Sequence, residues 1–304
     1  MHVTDQVKRI LSYYESDCPG TKANLCRILM HGQIGGTGRV IILPVDQGSE
    51  HGPAHSFSPN PDAYDPSYHY QLAIDASLNA FVAPLGLLEA GASTFAGAIP
   101  TILKLNNANA LIPKSEPKDQ AVTGSVKDAL RLGCSAVGLT IYPGAPKFVE
   151  IAEEAREIIA EAKSYGIATV VWSYPRDADF PPESETALDI VAYATHLAAL
   201  LGAHIIKVKL PTEKIEQKSA SKLYEGMDLQ SLSSRVKHIM QTAFNGRRIV
   251  VFSGGGKKDD ESILSDARAI REGGGHGSIV GRNSFQRERN DAIKLLGQVA
   301  KIYS

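Results

Sequence analysis

Two lysines stand two residues apart in the segment HIIKVKLP, residues 204–211. If this β-branched run forms a strand, Lys207 and Lys209 point to one side, and the isoleucine and valine that precede them point to the other. Helices that cover the outside of the sheet would pack against the apolar side of this strand. The lysines are therefore predicted to face inward. Two close ammonium groups repel, which lowers the pKa of the more buried amine. Such an amine can attack a carbonyl; the alternative is that both lysines reach solvent or pair with acids.

Aromatic and acidic side chains end other strand candidates. Trp172 and Tyr174 share one face of ATVVWSYP, residues 168–175. A tyrosine hydroxyl beside a reactive lysine can transfer protons, whereas two core aromatic rings are the structural alternative. Asp46 ends the run ILPVD and can orient a hydroxyl or balance the lysine charge, although a turn aspartate is common there. By the same reasoning, Lys104 in TILKLN is a second candidate nucleophile.

Glycines follow the last two strand candidates, in VFSGGGKK and GSIVGRN. Glycines allow backbone amides to approach an anion closely. The loops after the seventh and eighth strands are the usual phosphate site of barrel enzymes, and Arg282 adds a guanidinium suited to phosphate oxygens. Tight turns are the alternative, but two such loops on adjacent strands favour a phosphate site.

The segment EHGPAH superficially resembles a metal site. His51 and His55 are four residues apart beside Glu50. Gly52 and Pro53 lie between the histidines and argue against the helix that this spacing needs. A zinc site is therefore disfavoured, and His51 is instead expected to help shape the site.

Eight apolar, β-branched runs must position these residues. They span 39–46, 79–84, 101–106, 136–143, 168–175, 204–211, 248–255 and 277–283. Helical patterns alternate with them and span 119–133, 150–166, 185–202 and 259–274. This alternation predicts parallel βαβ units. Eight units favour a closed (β/α)8 barrel over residues 39–304, with an open doubly wound sheet as the alternative. Residues 1–38 are predicted to form an N-terminal helical extension.

The composition indicates which kinds of binding partner and which cellular compartment to expect. The formal net charge is −1, so nothing indicates a nucleic-acid-binding protein. The three cysteines form no CxxC pair, which is typical of a reduced, cytosolic chain. The sequence shows neither a signal peptide nor an apolar run of membrane-spanning length. We expect a cytoplasmic protein that binds neither nucleic acid nor membrane.

Taken together, the segments ILPVDQGSEHGP, TILKLNNANAL, VVWSYPR, HIIKVKLP, VVFSGGGKK and GSIVGRNSFQR resemble the archaeal-type class I fructose-bisphosphate aldolases, a family also found in bacteria. The resemblance implies metal-independent, Schiff-base cleavage of fructose 1,6-bisphosphate in glycolysis and gluconeogenesis. It implies that Lys207 forms the Schiff base, that Tyr174 is the acid and base, and that Asp46 assists dehydration or orients hydroxyls. The expected substrate-binding residues are Trp172, Lys209, Ser253, Gly254, Gly255, Gly281 and Arg282. The family also forms homo-oligomers, often decamers.

Other functions stay open at this point. Relatives on the same framework condense other sugar phosphates or transfer acyl groups from a phosphorylated dione. A non-covalent phosphosugar isomerase could use Lys207 and Asp46 as charge partners. A phosphosugar-binding protein without catalysis is the third possibility, although a scaffold has no reason to bury two lysines.

Overall fold

Eight parallel strands close into a barrel in the computed structural model, which describes residues 2–113, 115–176, 179–256 and 258–304. The strands are β1 Val40–Pro44, β2 Ala80–Pro84, β3 Thr101–Lys104, β4 Ala136–Ile141, β5 Ala168–Ser173, β6 Ile205–Lys209, β7 Ile249–Ser253 and β8 Gly277–Ile279. Each strand pairs with the next along the chain, and β8 pairs with β1. The predicted closed barrel is confirmed, and each strand lies within its predicted range.

Helices connect the strands and cover the outside of the barrel. They are α1 Asp5–Ser12, α2 Pro19–Met30, α3 Gln47–His51, α4 Pro53–Phe57, α5 Pro66–Asp75, α6 Leu85–Gly91, α7 Val126–Arg131, α8 Phe148–Ser164, α9 Leu188–Leu200, α10 Leu232–Thr242, α11 Asp260–Glu272, α12 Arg282–Phe285 and α13 Arg289–Tyr303. Short 3-10 helices span Pro61–Tyr64, Pro182–Thr186 and Ser221–Tyr224. Within the described ranges, no helix is long and apolar enough to cross a membrane.

One predicted helix is much shorter than expected. The range 119–133 was assigned entirely to a helix, but Ala121–Val122 pairs antiparallel with Asn106–Asn107. The helix starts only after Ser125, whose hydroxyl accepts a hydrogen bond from the backbone of Asp128, while the Asp128 carboxylate accepts one from the backbone of Ser125. This reciprocal cap satisfies two free amide donors and therefore sets the start of α7.

The predicted break between His51 and His55 is present. α3 ends at His51 and α4 begins at Pro53. Gly52 separates them with φ +85°, a left-handed conformation that favours glycine. The two histidines therefore do not share one continuous helix.

The N-terminal helices close one end of the barrel. Val7, Ile10 and Leu25 are buried in the same apolar cluster as the inward-facing strand residues Val40 and Ile205. The Tyr14 hydroxyl donates to the carbonyl oxygen of His204 at 2.5 Å, just before β6. The N-terminal segment thus contains two helices, α1 and α2, that pack on the barrel, while a domain boundary at residue 38 stays a prediction.

The buried imidazole of His69 on α5 predicts acid sensitivity. Its Nε2 lies 2.7 Å from the Ala63 carbonyl oxygen, and the rings of Phe57, Tyr68 and Phe285 pack around it. Burial lowers the pKa of His69 to about 4, so folding favours the neutral ring. The unfolded chain takes up this proton near pH 6.5, and the stabilisation is therefore lost as pH falls from 6.5 to 4, by roughly 3 kcal/mol.

Urea titrations at pH 7 and pH 4.5 measure this loss in the wild type and in His69→Gln. The variant is expected to lose less unfolding free energy between the two pH values. Equal losses in the two proteins would remove His69 as a cause.

Candidate active site

A cavity of about 530 Å³ lies at the carboxyl ends of the strands, where the long connecting segments meet. Active sites of (β/α)8 barrels form at this end. Nine of the predicted site residues line it: Asp46, Tyr174, Lys207, Lys209, Ser253, Gly254, Gly255, Gly281 and Arg282. The fold thus brings together residues from the ends of β1, β5, β6, β7 and β8.

Lys207 lies at the base of this cavity and is 5% exposed. Ile205 belongs to the interior cluster and Ile206 to the outer one, so the lysines of β6 face inward as predicted. The Lys207 Nζ atom lies 5.3 Å from the ring centroids of both Trp172 and Tyr174. Two aromatic rings therefore lie beside the Lys207 amine at the base of the cavity.

Trp172 differs from the other predicted site residues. Its side chain is 1% exposed and lies beneath Lys207, and it is not on the cavity wall. A Cβ atom at Gly138 would lie 2.5 Å from the indole ring, so glycine at that position makes room for it. In this position Trp172 packs against the lysine and shapes the floor of the site.

A second lysine, Lys104, is fully buried near the same floor. Its Nζ lies 5.7 Å from the Trp172 ring centroid and donates hydrogen bonds to the carbonyl oxygen and the side-chain oxygen of Asn106. Burial lowers the pKa of Lys104, and the charge of Lys207 adds to this effect. The positive charge that acts together with Lys207 is thus that of Lys104. The sequence instead predicts charge repulsion between Lys207 and Lys209.

Two carboxyl groups accompany these lysines. Asp46 is buried immediately before α3, and Glu50 follows one turn later. Burial and the charge of Asp46 raise the pKa of Glu50, although Lys104 and Lys207 act in the opposite direction. A carboxyl with a raised pKa can donate or accept a proton near neutral pH. In the sequence, Glu50 stands out only as the neighbour of His51 in EHGPAH, and its position near the two lysines becomes visible only in the structure.

A shared carboxylate holds two cations at the mouth of the cavity. Glu185 forms ion pairs with Arg176 and with Lys209, the latter at 3.4 Å. Burial lowers the pKa of Lys209, and the charge of Arg176 lowers it further. Sequence reasoning missed Arg176 and Glu185 as site residues. Glu185 lies on a 3-10 helix within the connection after β5, and only the folded chain brings it to Lys209.

The glycine-rich loops after β7 and β8 form one wall. The Arg282 guanidinium donates to the Gly255 carbonyl oxygen at 3.4 Å, which joins the two loops. Gly255 has φ +78°. A Cβ atom at Gly281 would lie 2.9 Å from the Gln47 side-chain nitrogen. Both positions therefore favour glycine, and backbone groups line the wall beside a guanidinium, an arrangement suited to an anion.

Two lysines, Lys257 and Lys258, follow the first of these glycine-rich loops. The Lys258 amine donates to the Asp266 carboxylate at 2.6 Å, and its backbone N–H donates to Asn283 at 2.9 Å. Lys258 therefore already has an anionic partner. Lys257 lies outside the described residues.

Comparisons with known proteins show which family the chain belongs to. The family model described as DeoC/LacD family aldolase matches residues 40–287. The class 1 fructose-bisphosphate aldolase of Thermoproteus tenax is 39% identical over 266 residues, covering 87% of this chain and 89% of that protein. A probable class 1 fructose-bisphosphate aldolase of Chlamydia trachomatis is 35% identical over 283 residues, covering 90% of this chain and 81% of that protein.

A solved structure is also similar. It is an archaeal fructose-1,6-bisphosphate aldolase with the catalytic lysine covalently bound to the carbinolamine intermediate of the substrate. The TM-score is 0.74 at 35% identity, and the match covers 88% of this chain and 95% of that one. The aldolase resemblance seen in the sequence motifs is confirmed. The chain belongs to the DeoC/LacD family of aldolases.

Proposed function

We propose that this chain is a class I fructose-bisphosphate aldolase, which cleaves fructose 1,6-bisphosphate to dihydroxyacetone phosphate and glyceraldehyde 3-phosphate through a Schiff base on Lys207. The observation that carries the proposal is the buried Lys207 amine at the base of the cavity, 5.3 Å from the Trp172 and Tyr174 ring centroids. The relatives of matching length, named as class 1 enzymes, support the same reaction.

The first half of the proposed reaction forms the Schiff base. The neutral Lys207 amine attacks the C2 ketone of the open-chain sugar and gives a carbinolamine. Asp46 or Glu50 protonates the departing hydroxyl, water leaves, and a protonated imine remains. This cation accepts electrons from the bond that breaks, so the proposal requires no metal ion.

The second half breaks the carbon chain. Tyr174 removes the proton of the C4 hydroxyl, the C3–C4 bond breaks, and its electron pair moves into the imine to give an enamine. Glyceraldehyde 3-phosphate leaves. A proton returns to C3, and water hydrolyses the imine to release dihydroxyacetone phosphate and restore the Lys207 amine.

Two groups of residues are proposed to hold the phosphates. Ser253, Gly254, Gly255, Gly281 and Arg282 supply backbone groups and a guanidinium for the phosphate on the ketose side. Arg176 and Lys209, which share Glu185, supply the positive charge for the other phosphate. Fixing both ends of the sugar would place C2 against Lys207.

Removing the guanidinium tests the first phosphate group. Arg282→Gln is expected to raise KM for fructose 1,6-bisphosphate about tenfold or more with a smaller change in kcat, because a charge-assisted hydrogen bond to phosphate is lost. The control is Arg268→Gln on α11, which removes an exposed arginine that pairs with Glu261. Steady-state kinetics separate the two, and an unchanged KM for Arg282→Gln would contradict this assignment.

A cleavage assay with EDTA-treated protein tests the function itself. Dihydroxyacetone phosphate is expected to be released at the same rate after metal ions have been removed. A higher kcat/KM for a different sugar phosphate would favour a related Schiff-base enzyme. Turnover to an isomeric sugar phosphate without cleavage would favour the isomerase, and binding without turnover a non-catalytic protein.

We further propose a role in glycolysis and gluconeogenesis as a cytoplasmic homo-oligomer, of decameric size as in the resembling family. The three cysteines are free, as a reducing compartment would keep them. α9 exposes Tyr193 and Leu200, seven residues apart on one helix side, and 58% and 62% exposed. An apolar stripe of this kind is typical of a surface that a second copy covers. Light scattering of the purified protein measures the assembly size.

A further inference from the structure

A second cavity, of about 620 Å³, opens at the opposite end of the barrel from Lys207. Thr101, which begins β3, and Ser135, which directly precedes β4, both line it. Lys207 and Tyr174 line only the cavity at the carboxyl ends of the strands. The second cavity is therefore separate from the proposed aldolase site, and the proposed reaction does not use it.

The walls of this cavity are mainly apolar. α2 contributes Cys26 and Met30, and the segment after α6 contributes Phe95 and Ile99. The rings of Tyr70 and Phe95 stack with centroids 4.8 Å apart. The Tyr70 hydroxyl already donates to the Leu88 carbonyl oxygen at 2.8 Å. An apolar ligand body would match these walls.

One lining residue supplies a charge. Among the described residues that line the cavity, the exposed Arg27 on α2 is the only arginine, lysine, aspartate or glutamate. Its guanidinium donates to the Asn24 side-chain oxygen at 2.9 Å, and within the described ranges no carboxylate forms an ion pair with it. Burial lowers the pKa of the nearby His31, which disfavours a second positive charge in the cavity. The cavity thus combines an apolar interior with one cation that has free N–H donors.

We propose that this cavity binds an amphipathic monocarboxylate, with an alkyl or aryl body among the apolar walls and the carboxylate on Arg27. A planar guanidinium matches a carboxylate with two parallel hydrogen bonds. A single cation balances one negative charge, so a doubly charged phosphate ester fits less well. The volume falls in the range of about 300–1,000 Å³ that is usual for small-molecule sites.

The cysteines allow this site to be located directly. Cys26 and the buried Cys134 line the cavity, whereas Cys18 is exposed and lies outside it. Burial raises the pKa of Cys26, so its alkylation by iodoacetamide is slow. The reaction is best followed at about pH 8.5, where more of the thiol is ionised. Octanoate is expected to slow alkylation of Cys26 in a saturable way and to leave Cys18 unaffected. Octanol, which has the same chain but no charge, is expected to bind about tenfold more weakly.

Variants of α2 test the carboxylate contact. Arg27→Gln should weaken octanoate binding about tenfold, to the level of octanol, in calorimetry and in alkylation. Lys22→Gln removes a charge from the same helix outside the cavity wall and should leave the affinity unchanged. Ala23→Trp places a large ring at the exposed edge of the cavity and should abolish octanoate binding. Circular dichroism checks that each variant is folded.

Four results would overturn the proposal. Octanoate and octanol could bind equally, or Arg27→Gln could bind octanoate as the wild type does, and then no carboxylate site exists. Octanoate could fail to slow the alkylation of Cys26 at any concentration. Protection of Cys26 that increases with protein concentration in the absence of octanoate would show that a second copy of the chain covers this cavity.

Discussion

Lys207→Met is expected to lower kcat for fructose 1,6-bisphosphate cleavage by about 10⁴-fold or more, because the amine that forms the covalent intermediate is lost. Methionine keeps an unbranched apolar stem of similar length against Trp172, so the packing of the floor is preserved. Lys104 and Lys209, the lysines nearest to Lys207 in the barrel, are not expected to substitute. Lys104 is fully buried and hydrogen-bonded to Asn106, and Lys209 is paired with Glu185.

Lys209→Met, on the same face of β6, is the matched control. It should raise KM, because a cation near the cavity mouth is lost, while a Schiff base still forms on Lys207. Initial rates from a coupled assay measure both variants. If Lys207→Met retained a rate within about tenfold of the wild type, the covalent mechanism would be untenable.

Tyr174→Phe is expected to lower kcat by about 10²- to 10⁴-fold, the usual contribution of a positioned acid or base. The substitution removes the hydroxyl and leaves the ring that packs on Lys207. Schiff-base formation should persist in part, because Asp46 and Glu50 can still assist dehydration. The variant is thus expected to accumulate the covalent intermediate.

Tyr142→Phe provides a comparison within the same cavity. The Tyr142 hydroxyl accepts a hydrogen bond from the Gln120 side chain at 2.5 Å, so its loss removes a structural contact. The effect on kcat should be much smaller than for Tyr174→Phe. Rapid-quench measurements of bond cleavage test this order, and an unchanged kcat in Tyr174→Phe would remove tyrosine from its role.

The barrel and its inward lysines could be predicted because both depend on local periodicity. Alternation along β6 alone separates Lys207 and Lys209 from Ile206, and the structure has the same two faces. The glycine loops were predictable because Gly281 and Gly255 follow strands at the end where barrel sites form. These features need no knowledge of which side chains meet across the barrel.

Other parts of the site depend on contacts between distant segments. Lys104 ranked below Lys207 as a nucleophile, and no spacing in the sequence shows that both approach the Trp172 ring. The ion pair between Arg176 and Glu185 requires the connection after β5 to fold back over the cavity. Such groups become visible only when the tertiary structure gives distances and burial.

Borohydride trapping tests directly whether Lys207 forms the Schiff base. EDTA-treated protein is incubated with dihydroxyacetone phosphate, reduced and digested, and the modified peptide is mapped by mass spectrometry. One adduct is expected, on Lys207, in the wild type and in Tyr174→Phe, and none in Lys207→Met. An adduct on Lys104 or Lys209 in the wild type, or no adduct on any lysine despite bound sugar phosphate, would contradict it.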